Sequence, residues 1–278
     1  MSAAYMLGAL AGGDDREALT CLQALVTAEE ECVRRACFHG LGIAGSIALP
    51  FLAELLKRPA TVLAKLQPSA QANVDRQQQM IVCAVHAALI AATHSRDTEA
   101  GLVAADAIIF AMERAKAELT RTDTTGRGRL AEDDSVLADR YQVDQEIHFD
   151  VLERRRTLAE GAAALGVIGS AVLRASMPDK VMAIAADILA PLISNDEPGG
   201  RYASFIIPDF VRLNATAAIL RLASDEHSAA ATSADSENAP EHLLGDLLGE
   251  AVRRLQESAD RTRGGFASRL LALVVTVS

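Results

Sequence analysis

Ionisable side chains set inside apolar helical runs are where this sequence could do chemistry. Asp106 in LVAADAIIF and Asp187 in AIAADILAP share an A-A-D setting. A carboxylate among Ala, Ile and Leu either pairs with a polar group of a neighbouring helix or faces a groove where desolvation makes it a stronger base. The repeated setting favours a ladder of polar contacts between successive helix pairs. Glu160 in LAEGAAALG and Asn214 in RLNATAAIL are single polar residues of the same kind. His86 stands alone in the most apolar helix-like run. An imidazole there could ligate a metal, but a lone His in such a setting normally just bonds a backbone carbonyl or water.

A second group is denser. Glu146 and Asp150 fall one helical turn apart, as do Asp144 and His148, and Glu153 precedes Arg154, Arg155 and Arg156. Carboxylates at that spacing share one helix face and do acid/base chemistry once one is desolvated. In water they form a charged surface, with Glu before Arg supporting the helix and acidic residues suiting its N-terminal dipole. The solvated face is the expectation. His86, Asp106, Glu146, Asp150, Arg154 and Asp187 are therefore the candidate ligand- or partner-binding residues. No segment supplies a recognisable nucleophile, metal set or phosphate loop, so neither metal nor cofactor is expected, and the chain reads as non-catalytic.

Two enzymatic patterns find only poor counterparts among the residues. The run EDDSVLAD, Glu132 to Asp139, resembles the aspartate-rich magnesium site of all-helical prenyl-diphosphate enzymes, where carboxylates one turn apart hold metal against diphosphate. The spacing here is imprecise. An aromatic-lined pocket for a hydrocarbon cation is also hard to build from no Trp, three Tyr and seven Phe, so the run reads as a solvated acidic loop. The second pattern is that of deoxyhypusine hydroxylase, an iron-binding all-helical enzyme with His-Glu pairs repeated along its chain. The six histidines, at 39, 86, 94, 148, 227 and 242, are followed by Gly, Ala, Ser, Phe, Ser and Leu, so that activity finds no ligands at its motif.

Composition indicates how such residues are positioned. Half of the 278 residues are apolar but only 4% are aromatic, so burial rests on Ala, Leu, Val and Ile packed between close helices. β-Branched and aromatic strand formers are too sparse for an all-β fold. The net charge of −10, from 37 acidic and 27 basic residues, repels phosphate backbones and argues against nucleic acid. Cys21, Cys32, Cys37 and Cys83 form no C-x-x-C pair and read as reduced, mostly buried thiols. The N-terminus lacks the basic start of a secretory signal, which makes a cytoplasmic location the expectation. The longest apolar run, Met80 to Ala92, falls short of the roughly 20 residues of a membrane span, and no membrane partner is expected.

Helical periodicity is clearest at Met177 to Ser194, where Val181, Ile184, Ala185, Ile188, Leu189 and Leu192 follow the i, i+3, i+4, i+7 rule. Ser176 is the expected N-cap, with Pro178 in the first turn. Glu31 to Ile43 and Ile47 to Lys57 form a hairpin of helices around Gly45-Ser46. Asp75 to Thr93, Asp97 to Leu119, Ile206 to Ala223, Glu241 to Asp260 and Gly264 to Val277 continue the helical theme.

The hairpin carries a resemblance. Its stretch VRRACFHGLGIAGSIALPFLAELL, Val33 to Leu56, resembles a HEAT-like repeat of the kind named after phycobilisome lyases: a V-R-x-A start, an L-G close, a tight turn, then P-x-L. Val33, Arg34, Ala36, Leu41, Gly42, Pro50, Leu52, Leu55 and Leu56 stand where the pattern wants them. Ser2 to Leu25 is similar to the later part of the unit, its Leu7-Gly8 standing 34 residues before Leu41-Gly42, and Thr157 to Gly169 repeats the L-G ending at Leu165-Gly166. The resemblance implies an all-α fold: an irregular α-solenoid of antiparallel helix pairs over residues 1–278, each pair stable only when neighbours cover it.

Polar segments interrupt that stack at Thr120 to Gln145, Asn195 to Ala203 and Ser224 to Pro240. The last is low in complexity and has almost nothing to bury, which favours disorder, and 120–145 reads as an inserted loop. The functional expectation is a binding scaffold for a protein partner. The rival is an enzyme or small-molecule carrier with a pocket between the inserted loops and the Ala-rich helices; phycobilin lyases imply that such stacks handle ligands, but no catalytic residue transfers. Self-association through uncapped end repeats is a further expectation.

Overall fold

The computed structural model describes residues 2–66, 74–129, 137–193 and 209–224, and among them every regular element is a helix. The segments 195–203 and 225–278 and the acidic run 132–134 fall outside the described residues. The chain opens with α1 (Ser2–Gly12), α2 (Arg16–Leu25) and α3 (Glu31–Ile43), then a 3-10 turn (Gly45–Ala48) leads into α4 (Leu49–Lys57) and α5 (Pro59–Leu66). Two helices follow, α6 (Val74–Ser95) and α7 (Thr98–Arg129), and then α8 (Leu137–Ile168). The described chain ends with α9 (Pro178–Ala183), α10 (Ala190–Ile193) and α11 (Asp209–Ser224).

Local chemistry accounts for several of these boundaries. The Asp15 carboxylate accepts from the backbone N–H groups of Glu17 and Ala18 and caps α2. Gly45 takes φ +70, which lets the chain reverse between α3 and α4 at the predicted break. The predicted stripe of the last hairpin is buried at Val181, Ile184, Ala185, Leu189 and Leu192. Its start differs from the expectation. The N-cap position is Met177, without a side-chain cap bond, and the Ser176 hydroxyl instead meets that of Thr98. Two wide π-helical turns, Gly169–Leu173 and Ile184–Leu189, flank this corner.

The segment read as an inserted loop, 120–145, is largely helical: α7 runs on to Arg129 and α8 begins at Leu137. Apolar periodicity reports burial, whereas a helix already nucleated gains one hydrogen bond per added residue and continues through polar sequence.

The neighbouring helices have a consistent direction. Along α1 and α3, Gly8 abuts Gly40 and Gly12 abuts Ala44, so the two run parallel. Arg34 reaches Gln79 while Gly42 abuts Ile90 and Gly45 lies beside Ser95, so α3 and α6 are parallel too. Gly166 against Ala218 and Gly169 against Leu222 make α8 and α11 parallel. By contrast α7 returns antiparallel along α8, with Met112 at Gly161 and Val172 at Gly101. Each glycine of the three L-G endings, Gly8, Gly42 and Gly166, thus lies where the next parallel helix comes closest.

The core runs through all of these contacts. It includes Leu22, Phe38, Leu41, Leu52 and Leu56 near the N-terminus, Ile81, Val85 and Ile108 in the middle, and Leu158, Leu165, Ile168 and Ile219 beyond. Alanines 84, 87, 88, 91 and 92 of α6 are all buried, which lets helices on both sides approach it closely. Val151–Leu173 is long and apolar enough to cross a membrane, a stretch longer than the Met80 to Ala92 run; 61% of its apolar window is buried inside the fold, which is how a core helix is placed. At the other end, α1 leaves Tyr5, Met6 and Leu10 in solvent.

Candidate functional site

The site is assembled from one face each of three helices, α3, α6 and α8. α3 supplies Glu31, Arg34, Arg35 and His39; α6 supplies Gln79, Cys83 and His86; α8 supplies Glu153 and Arg156. They surround an open crevice of about 270 Å³ whose apolar floor includes Phe38, Met80, Val82 and Ile90. Residues one or two turns apart on each helix share this face, so three separate stretches of sequence converge.

Arg34 holds the crevice wall from inside. Its guanidinium is buried, and Nη1 donates to the carbonyl oxygens of Ala28 at 2.8 Å and Glu29 at 2.6 Å. Nη2 reaches the Gln79 Oε1 at 3.4 Å. The arginine of the V-R start therefore ties the turn before α3 to the helix and points a weaker contact at α6. Arg35 has the opposite character: its side chain is 61% exposed and pairs along the helix with Glu31, itself 51% exposed. Such exposed i, i+4 pairs contribute only about 0.3–0.5 kcal/mol, so the Arg35 charge can change partner at little cost.

On α8 the charges are sorted by direction. Glu153 is only 3% exposed and accepts from Arg156 Nη1 at 2.9 Å, while its carbonyl accepts from the Thr157 hydroxyl. That hydrogen bond and the Glu153 charge push the Arg156 guanidinium above its ordinary pKa. Arg154 points to the other side, its Nε 3.0 Å from Glu118 Oε2 on α7. Burial lowers the pKa of nearby Arg114; Glu118 opposes that shift and Arg154 adds to it. The expected solvated face at 153–156 is thus corrected. Helices packed on two sides of α8 enclose Glu153 and most of Arg154, and only Arg156 keeps substantial exposure.

The other sequence-predicted residues are dispersed. His86 lies in the crevice, half exposed, with Nε2 3.4 Å from Glu160 Oε2 of α8; its partner is a carboxylate of the next helix. Asp106 is not buried as its A-A-D setting suggests. It is 53% exposed and accepts from Lys180 Nζ at 2.8 Å, bridging α7 and α9. Asp187 is also exposed. Glu146 and Asp150 lie on α8, but their side chains are outside the described residues.

Sequence reasoning missed Arg35, Gln79, Cys83, Glu153 and Arg156 as a group. The signal available was the spacing Glu31, Arg35, His39 on one helix face; what joins it to α6 and α8 is tertiary. The cysteines are also less uniform than expected: Cys21 and Cys32 are exposed, Cys37 is buried and Cys83 is half-buried at the crevice. Burial raises the Cys83 thiol pKa; Arg35 and Arg34 pull it down less strongly, and Glu31 and Glu153 push it up. This keeps the thiol neutral at neutral pH and makes it a poor nucleophile. Among the described residues, no three His, Cys, Asp or Glu side chains gather in a way that could hold a metal.

In chemical terms the crevice offers guanidinium and imidazole donors over an apolar floor. Comparison of the chain with protein-family models, with curated proteins and with solved structures finds no match.

Proposed function

We propose that the chain is an irregular α-solenoid of HEAT-like helix pairs and serves as a non-catalytic scaffold that binds a protein partner across α3, α6 and α8. The observation that carries this reading is the parallel direction of helices that neighbour one another across each pair, α1 with α3, α3 with α6 and α8 with α11. In an up-and-down bundle consecutive neighbours are antiparallel, whereas stacked hairpins bring equivalent helices side by side in parallel. Equivalent faces then line up, and the crevice is where three of them present paired charges.

The pairing itself supports binding over catalysis. Glu153 is taken up by Arg156 and His86 by Glu160, so neither carboxylate stands as an isolated desolvated base. The rival enzyme or carrier reading has less support. The crevice is walled by α3, α6 and α8, and Asp106 and Asp187, the carboxylates such a pocket was expected to use, do not line it.

The test is affinity capture from native lysate with the full chain and with a His39→Trp, His86→Trp double variant that crowds the crevice from its exposed side. A stoichiometric protein held by the parent and lost by the variant is expected. Recovery of the parent alone, or of the same protein in equal amount on both, contradicts the reading.

A further inference from the structure

We infer that the outer face of α1 pairs with α1 of a second copy of this chain, antiparallel about a two-fold axis. This goes beyond the scaffold reading and does not depend on it. Along the stack α3 lies between α1 and α6, α6 between α3 and α8, and α8 between α6 and α11. By contrast α1 packs on α2 and α3, and on its far side Tyr5, Met6 and Leu10 are each more than half exposed. A helix of a stack is stable when both of its faces are covered.

Charge singles out the occupant. Ser2–Gly12 contains no charged side chain, whereas every other helix of eight or more residues among the described residues contains at least one. The chain carries a net charge of −10, so two copies repel one another through most of their surface, and a two-fold contact brings each charge near its own counterpart. On α1 that repulsion is absent. The same neutrality offers nothing to attract or steer a charged foreign partner. What remains is the helix dipole. Antiparallel pairing lays the positive N-terminal end of each α1 beside the exposed Asp14 that follows the other.

Size points the same way. Ala3, Met6, Ala9 and Leu10 share the exposed side of the helix at spacings of three and four residues. In the antiparallel pair Met6 of one copy meets Ala9 of the other and Leu10 meets Ala3, so each large side chain lies over a small one and the helices approach closely. The two-fold axis makes both contacts twice. Parallel pairing would instead set Met6 on Met6 and Leu10 on Leu10, with the dipoles aligned unfavourably. So few large side chains make a small interface beside the roughly 800 Å² per partner of a standard one, and the dimer forms reversibly at high concentration.

Sedimentation equilibrium of the full chain from about 1 μM to 1 mM tests this, with the parent, with Met6→Glu, with Ala9→Lys and with an equimolar mixture of the two variants. Both positions are exposed, and circular dichroism is expected to show the parent fold in each. The parent should pass reversibly from monomer to dimer, and each variant alone should associate about tenfold more weakly. The mixture should recover to within about threefold of the parent, because the new carboxylate faces the new ammonium while the second contact keeps Met6 on Ala9. A parent that stays monomeric throughout, that grows past the dimer into longer assemblies, or that loses nothing in Met6→Glu overturns the inference. Weakened single variants without recovery in the mixture refute the antiparallel pairing. A lysate protein released by Met6→Glu, with the purified parent monomeric, gives the face to that protein and also overturns the inference.

Discussion

Arg34→Ala should destabilise the chain by about 3 kcal/mol. The guanidinium makes two short hydrogen bonds to the carbonyls of Ala28 and Glu29 and a longer one to Gln79. Hydrogen bonds from a charged donor contribute roughly 1.5–3 kcal/mol each. The two carbonyls stand at the partly exposed turn and can regain water, which keeps the sum near the lower end. Truncation also removes the aliphatic stem that fills the space between the turn and α6. Lysine retains the charge but not the fork, so Arg34→Lys is expected to lose about half as much. Urea unfolding followed by circular dichroism measures both, and an alanine variant as stable as the parent would show that the turn before α3 holds without its arginine.

The second large effect is at Gly40. A Cβ added there would lie 2.5 Å from the Ala4 carbonyl oxygen and 2.9 Å from Leu22 Cδ2. The first of these atoms is backbone and cannot swing aside. Alanine favours a helix over glycine by about 1 kcal/mol, whereas forcing an atom into a packed contact costs about 1–3 kcal/mol and occasionally more. The contact wins, and Gly40→Ala should be less stable than the parent by about 1–2 kcal/mol. Because the clash is with α1, the expected signature is early loss of that helix, seen as faster hydrogen exchange over Ser2–Gly12. A variant stabilised by the alanine would mean that α1 packs elsewhere.

Both effects bear on how much could be read in advance. Arg34 and the L-G glycines stood out by pattern, and their roles turn out to be geometric: one ties down a turn, the others admit the next parallel helix. The hairpin Glu31 to Lys57, its break at Gly45 and the stripe from Val181 to Leu192 were legible because apolar spacing and a glycine at positive φ leave local marks. The helical extension through Thr120–Arg129 was not, since its run of Thr, Arg, Gly and Asp carries no apolar periodicity. The sides of α8 were equally hidden. Glu153 and Arg154 are adjacent and equally polar, yet one faces the crevice and the other α7, and only the helices packed on either side decide which. Asp106 misled in the other direction, because alanines flanking a carboxylate describe the packed face of the helix while the carboxylate occupies the opposite one. The crevice joins residues 31, 79 and 153, and no local window spans them.

The central claim is that the aligned faces of α3, α6 and α8 form one binding surface. Hydrogen–deuterium exchange of the full chain, alone and saturated with its captured partner, tests it most directly. Protection gathered in Glu31 to His39, Gln79 to Ile90 and Glu153 to Glu160, with little change in α4 or α9, is the predicted result. Protection confined to other helices, or spread evenly along the chain, would contradict it.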